Sequence, residues 1–120
     1  MSLKDCYTAL EGNFDEVLGR LRSERMIQKF VLKFLNDGSF DNLCAAMDAG
    51  SAEEAFRAAH TIKGVCQNLS FTKLGQSSSE LTEALRGGFS PEANGLAERV
   101  KADYRQTVSA IRAFEAEVNG

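Results

Sequence analysis

Apolar residues recur at steps of three and four along almost the whole chain, and this helical period, renewed after each Gly or Ser break, constrains the fold most. Alternation at period two, the mark of a half-buried strand, is nowhere sustained. An amphipathic opening runs from Leu3 to Leu10, and Asn13 can cap a segment from Phe14 to Arg22. Ser23 is placed to cap a helix whose Met26, Ile27, Phe30, Val31, Phe34 and Leu35 share one face. Asn36-Asp37-Gly38 is its expected end, with Gly38 at positive φ. Ser39 opens the next, striped by Phe40, Leu43, Cys44 and Met47 and closed by Gly50. Ser51-Ala52-Glu53-Glu54 has the form of a capping box, and the helix it starts runs to about Leu69. Phe71, Leu74, Ser78, Leu81 and Leu85 stripe a further helix ending at Gly87-Gly88. Pro91, the only proline, suits the first turn of the last helix, where Leu96, Val100, Tyr104, Val108, Ile111 and Phe114 share a face.

Such stripes can be buried only against one another. The expected fold is therefore all-α, an antiparallel four-helix bundle with an additional short N-terminal helix across one end. The 120 residues suffice for one domain spanning 1–120, and a bundle that closes on itself is expected to be a monomer. A net charge of -3 with no basic stripe argues against nucleic acid as a partner. No apolar run approaches the ~20 residues of a membrane span, so no membrane contact is expected. Cys6, Cys44 and Cys66 are odd in number and form no C-x-x-C pair, and Met1-Ser2-Leu3-Lys4-Asp5 is not a signal peptide. A cytoplasmic location is the expectation.

The one histidine, His60, falls in the middle of an expected helix. A lone helical histidine is more often a partly buried structural residue than a reactive one. Here the helical wheel decides otherwise. At about 100° per residue, Ala55, Ala59, Ile62, Cys66 and Leu69 fall within about 40° of one direction, the core face. His60 lies about 140° away from it, with Lys63, Gly64 and Gln67 also turned off the core. The imidazole should point into solvent.

A neutral imidazole nitrogen is a good nucleophile near pH 7. Phosphorylated, it would bring close to two negative charges to the helix surface, which an ammonium one turn on at Lys63 could offset. Gly64 costs about 1 kcal/mol in a helix interior relative to alanine. A flat spot beside His60, where another backbone could approach, is a use that would justify the cost. The competing use for Gly64 is a tight helix–helix contact.

The stretch Ala59-His60-Thr61-Ile62-Lys63-Gly64, followed by Asn68-Leu69-Ser70 and Leu74-Gly75, resembles the signature of histidine-containing phosphotransfer (HPt) domains. The resemblance implies a four-helix bundle with the phosphorylated histidine exposed on its second helix. It further implies that His60 accepts a phosphoryl group from a receiver-domain aspartate and passes it to another receiver, with Lys63 and Gly64 supporting the phosphate. Response-regulator receiver domains, and a hybrid histidine kinase, would be the partners. The motif covers residues 58 to 75. Cys66 and Gln67 are larger than the residues often found there, and Ser70 replaces the usual Gly. Thr82 stands nearest to where some members place a Gln on the following helix.

Phe56, Arg57, Gln67 and Lys73 are the other candidates for a docking surface around His60. Cys66 reads as a small buried hydrophobe. With no G-x-x-x-x-G-K-[ST] loop, G-x-G-x-x-G or H-E-x-x-H, the chain is expected to be a phosphoryl carrier rather than an enzyme. No cofactor of its own is expected, the Mg²⁺ belonging to the receiver partner. The alternative reading is a non-catalytic helical protein–protein interaction module in which His60 is incidental.

Overall fold

The computed structural model describes all 120 residues, in seven helices and no strand: α1 (Leu3–Leu10), α2 (Phe14–Leu21), α3 (Glu24–Phe34), α4 (Ser39–Ala49), α5 (Ala52–Leu69), α6 (Thr72–Leu85) and α7 (Ala93–Asn119). Short polar residues start most of them. Asn13, Ser23 and Ser51 each accept a hydrogen bond from the backbone N–H three residues on, answering one of the donors a helix start leaves unpaired. The capping box forms fully at Ser2 and Asp5; at Ser51 only the serine half is made.

Helices α4 to α7 build the expected antiparallel bundle. α5 packs between α4 and α6, α6 packs on α7, and a stacked Phe40–Tyr104 pair, ring centroids 3.8 Å apart, joins α4 to α7. α7 has 27 residues, about 40 Å at 1.5 Å each, and so runs the 42 Å length of the molecule. α1 does not lie across one end, as expected. It runs antiparallel along the second half of α7, where the Cys6 thiol donates to the Ala110 carbonyl and the Gln106 amide donates to that of Ala9. Three helices, rather than one, precede the bundle.

The core gathers the expected stripes of α5 and α6, with Ala55, Ala59, Ile62, Cys66, Leu69, Leu74, Leu81 and Leu85 all buried. On α3 the expected Ile27, Val31 and Phe34 are buried and on α4 Leu43 is, with Phe30, Leu35, Phe40 and Met47 packed against the core, while the stripe of α7 is rotated in part. On α7 the buried line is Ala93, Ala97, Val100, Asp103, Thr107, Ala110, Ile111 and Phe114, leaving Leu96, Tyr104 and Val108 half-buried. α7 serves two neighbours, α6 and α1, and small side chains let both come close. Met26 is exposed and Cys44 half-buried.

Two breaks also differ. Gly38 has φ -88, not positive; α3 closes with tightened bonds to residues three back (Asn36 to Lys33, Asp37 to Phe34), and Gly38 becomes the N-cap of α4. Pro91 lies in the turn before α7, whose cap is Glu92. Gly50, Gly87 and Gly88 do take positive φ.

Candidate functional site

The site is carried by α5, which is fastened firmly at its C-terminal end. The Tyr7 hydroxyl donates to the Leu69 carbonyl at 2.7 Å, the Asn13 N–H to that of Ser70 at 2.8 Å, and the Arg20 guanidinium to that of Asn68 at 2.7 Å. These contacts pair carbonyls that a helix end would otherwise leave open. Ser70 ends the helix in the left-handed region, φ 57, which glycine adopts most readily. Its hydroxyl is held instead, donating to Glu16 at 2.6 Å and accepting from Arg20 at 3.1 Å. That bond to Ser70 is the main reason the Glu16 carboxyl is held below the usual glutamate range.

Further up α5 the outer face is open. His60 is exposed, as the wheel requires, and its ring lies parallel to that of Phe56, one turn earlier, with centroids 6.1 Å apart and a tilt of 5°. Lys63 is half-buried and its ammonium forms no ion pair. A Cβ on Gly64 would meet nothing within 4 Å, so Gly64 is no helix–helix contact and leaves bare backbone beside His60. Gln67 is exposed, two turns beyond the histidine and about 10 Å along the axis. Arg57 is exposed as well but paired with Glu53 on its own helix.

Lys73 is not part of this face. It begins α6, beside the far end of α5, where its ammonium bonds Glu11 and Gln106 at 2.9 Å each and lies 4.0 Å from the buried Asp103 carboxylate. The Thr82 hydroxyl does not face His60 either: fully buried, it donates back to the Ser78 carbonyl at 2.7 Å. Cys66 is a buried hydrophobe as expected, and burial pushes its thiol up to about 12, which keeps it protonated and unreactive.

Two residues that the sequence reading passed over flank the site from α6. The Arg86 guanidinium sits over the Phe56 ring, 5.1 Å from its centroid, and is held by both oxygens of Glu83 at 2.9 and 3.1 Å. The Glu83 carboxyl is in turn held below its usual range, first by its hydrogen bonds with Arg86 and also by the charge of Lys63. No local motif announces such a pair. The available signal was helix pairing: α5 and α6 run antiparallel about the close approach of Gly75 to Cys66, where a Cβ on Gly75 would come within 3.2 Å of the Cys66 Cβ. Counting back along α5 and forward along α6 from that point sets Arg86 opposite Phe56.

An accessible imidazole beside an uncommitted ammonium, on a rigid helix with bare backbone next to it, suits a nucleophile that must meet a partner held by another protein. No three His, Cys, Asp or Glu side chains converge to hold a metal ion. No helix is long and apolar enough to cross a membrane. The Hpt domain family model matches residues 26–114, from the first turn of α3 to near the end of α7, leaving α1 and α2 outside the matched region. No curated protein and no solved structure matches the chain significantly. With the match covering most of its length and the helical bundle in place, the chain belongs to the Hpt domain family, whose members carry phosphoryl groups on histidine in phosphorelays and interact with response-regulator receiver domains.

Proposed function

We propose that His60 is the phospho-accepting residue, taking a phosphoryl group from the aspartate of one receiver domain and passing it to another. The observation that carries this reading is the exposure of His60 beside an unpaired Lys63 and the open surface at Gly64. In the forward step an imidazole nitrogen attacks phosphorus, the N–P bond forms, and the P–O bond of the acyl phosphate breaks to release the receiver's carboxylate. The reverse step hands the group on. Lys63 offsets the charge gathering on the transferred group, and Gly64 lets the receiver's backbone approach the helix. Phe56, Arg57 and Gln67 border the area a receiver would cover.

The chain supplies nucleophile and cation but no nucleotide site, so it acts as substrate and carrier, and the Mg²⁺ belongs to the receiver. All 120 residues work as one domain and one monomer in the cytoplasm, charged by a receiver of its own relay or by a hybrid histidine kinase.

Incubation with a phosphorylated receiver, or with a hybrid kinase and ATP, should place acid-labile, alkali-stable phosphate on the wild type and none on His60→Gln. Failure to label the wild type across a broad panel of active donors would favour the rival reading, a helical interaction module with an incidental histidine.

A further inference from the structure

We infer that Arg86 is a second phosphate-supporting cation, parked on Glu83 and Phe56 while His60 is bare and drawn to the phosphoryl group once His60 carries it. This inference rests on the reading of His60 as the phosphorylated residue. Three side chains form a continuous array across α5 and α6: the imidazole of His60, the parallel ring of Phe56, and the guanidinium of Arg86 over that ring. The aromatic face holds the guanidinium one residue contact from His60 without consuming any of its N–H donors. Those donors go to Glu83, the one carboxylate that Arg86 pairs with.

Phosphorylation changes the competition for Arg86. A phosphoryl group on His60 carries close to two negative charges and three acceptor oxygens, against one charge and two oxygens on Glu83. Guanidinium binds both groups through the same planar fork, so the exchange needs no new geometry at the arginine. Arg86 also has freedom to move. It is the C-cap of α6, with extended backbone (φ -64, ψ 117), followed by Gly87 and Gly88 at positive φ. An open groove of about 520 Å³ beside it, bordered by Ala52, Phe56 and Leu85, leaves space on its other flank. The charged groups around the phosphoryl position are then Lys63 and the Glu53-paired Arg57 from α5 and Arg86 from α6, with Glu83 between Lys63 and Arg86 as the anion to be displaced.

The test uses the full chain, phosphorylated with phosphoramidate so that no relay partner is needed. The second ionisation of the phosphoryl group is followed by ³¹P NMR for wild type, Arg86→Gln, Arg86→Lys and Glu83→Gln. A cation at the phosphate favours its dianion, so Arg86→Gln should raise the midpoint by roughly half a unit, with Arg86→Lys between it and wild type. Glu83→Gln removes the competing anion and should lower the midpoint. Identical midpoints in wild type and Arg86→Gln would overturn the role of Arg86 while leaving His60 as the carrier. Phosphoramidate label that persists in His60→Gln, or none on the wild type, would overturn the reading of His60 itself and this inference with it.

Discussion

The C-terminal end of α5 and its middle are built on opposite principles. At the C-terminal end, side chains and backbone from α1 and α2 meet three carbonyls, from Asn68 to Ser70. At His60 the outward face is exposed, and from α6 the Arg86 side chain reaches the neighbouring Phe56 ring. The glycines show the same contrast. Gly75 lets α6 come against Cys66, and Gly12 lets the chain cross the end of α5 so closely that a Cβ there would fall 2.6 Å from the Ser70 carbonyl oxygen; Gly64 faces open space. A helix that must offer a reactive side chain to other proteins gains precision by being fixed where no partner needs access.

The largest blow to the fixed end should come from Gly12→Ala. The atom in its way is backbone and cannot rotate aside. A loss of about 2–3 kcal/mol is expected, read as a lower urea midpoint with little change in slope. A midpoint within error of wild type would show that the crossing of α1–α2 over α5 is loose.

Tyr7→Phe is gentler and more specific. It removes one buried hydrogen bond and leaves the Leu69 carbonyl without its partner, at a cost of about 1–2 kcal/mol. Label acceptance per folded molecule should not change, because His60 is about 13 Å further up the helix. A parallel loss of both properties would mean that the C-terminal end and the His60 region are coupled.

Gly75→Ala and Gly64→Ala should move stability in opposite directions. The first crowds the Cys66 Cβ and should cost about 0.5–1 kcal/mol after alanine's helix preference is allowed for. The second meets nothing and should stabilise by about 0.5–1 kcal/mol, while slowing transfer from a receiver because a methyl group now stands where the partner's backbone must approach. Destabilisation by Gly64→Ala would return that glycine to a packing role.

Much of this contrast was legible in the sequence. The outward turn of His60, the core face of α5 and the serine and asparagine caps all follow from local spacing, since a helix fixes the relative direction of residues within a few turns. What spacing cannot supply is the neighbour in space. Lys73 follows the motif closely in sequence, yet the turn at Ser70 and Phe71 sends it to the opposite end, toward Glu11 and Gln106. Arg86 lies 26 residues after His60 but returns to its side because α6 runs antiparallel to α5. The buried face of α7 was misjudged because large apolar residues outweigh Ala93, Ala97 and Thr107 in any periodicity, whereas two packed neighbours favour the small ones.

The smallest effect concerns pH. Glu16 has its folded-state pKa held below the ordinary 4.5, chiefly by the Ser70 hydroxyl. Its contribution to stability is therefore complete above about that value and fades as pH falls through the lower folded-state value. Glu16→Gln should flatten the acid side of the stability profile below pH 4.5 and leave phosphate acceptance at neutral pH unchanged. An unchanged acid profile would mean that the Glu16–Ser70 contact does not persist in solution.

The most direct measurement is a chase. The protein is phosphorylated through its relay, purified away from the donor, and mixed with an unphosphorylated receiver domain and Mg²⁺. If His60 is a carrier, the acid-labile label leaves it and appears on the receiver's aspartate as the protein returns to its bare form. Label that stays on the protein with a panel of active receivers, or that sits on any residue other than His60, would contradict phosphotransfer through this site.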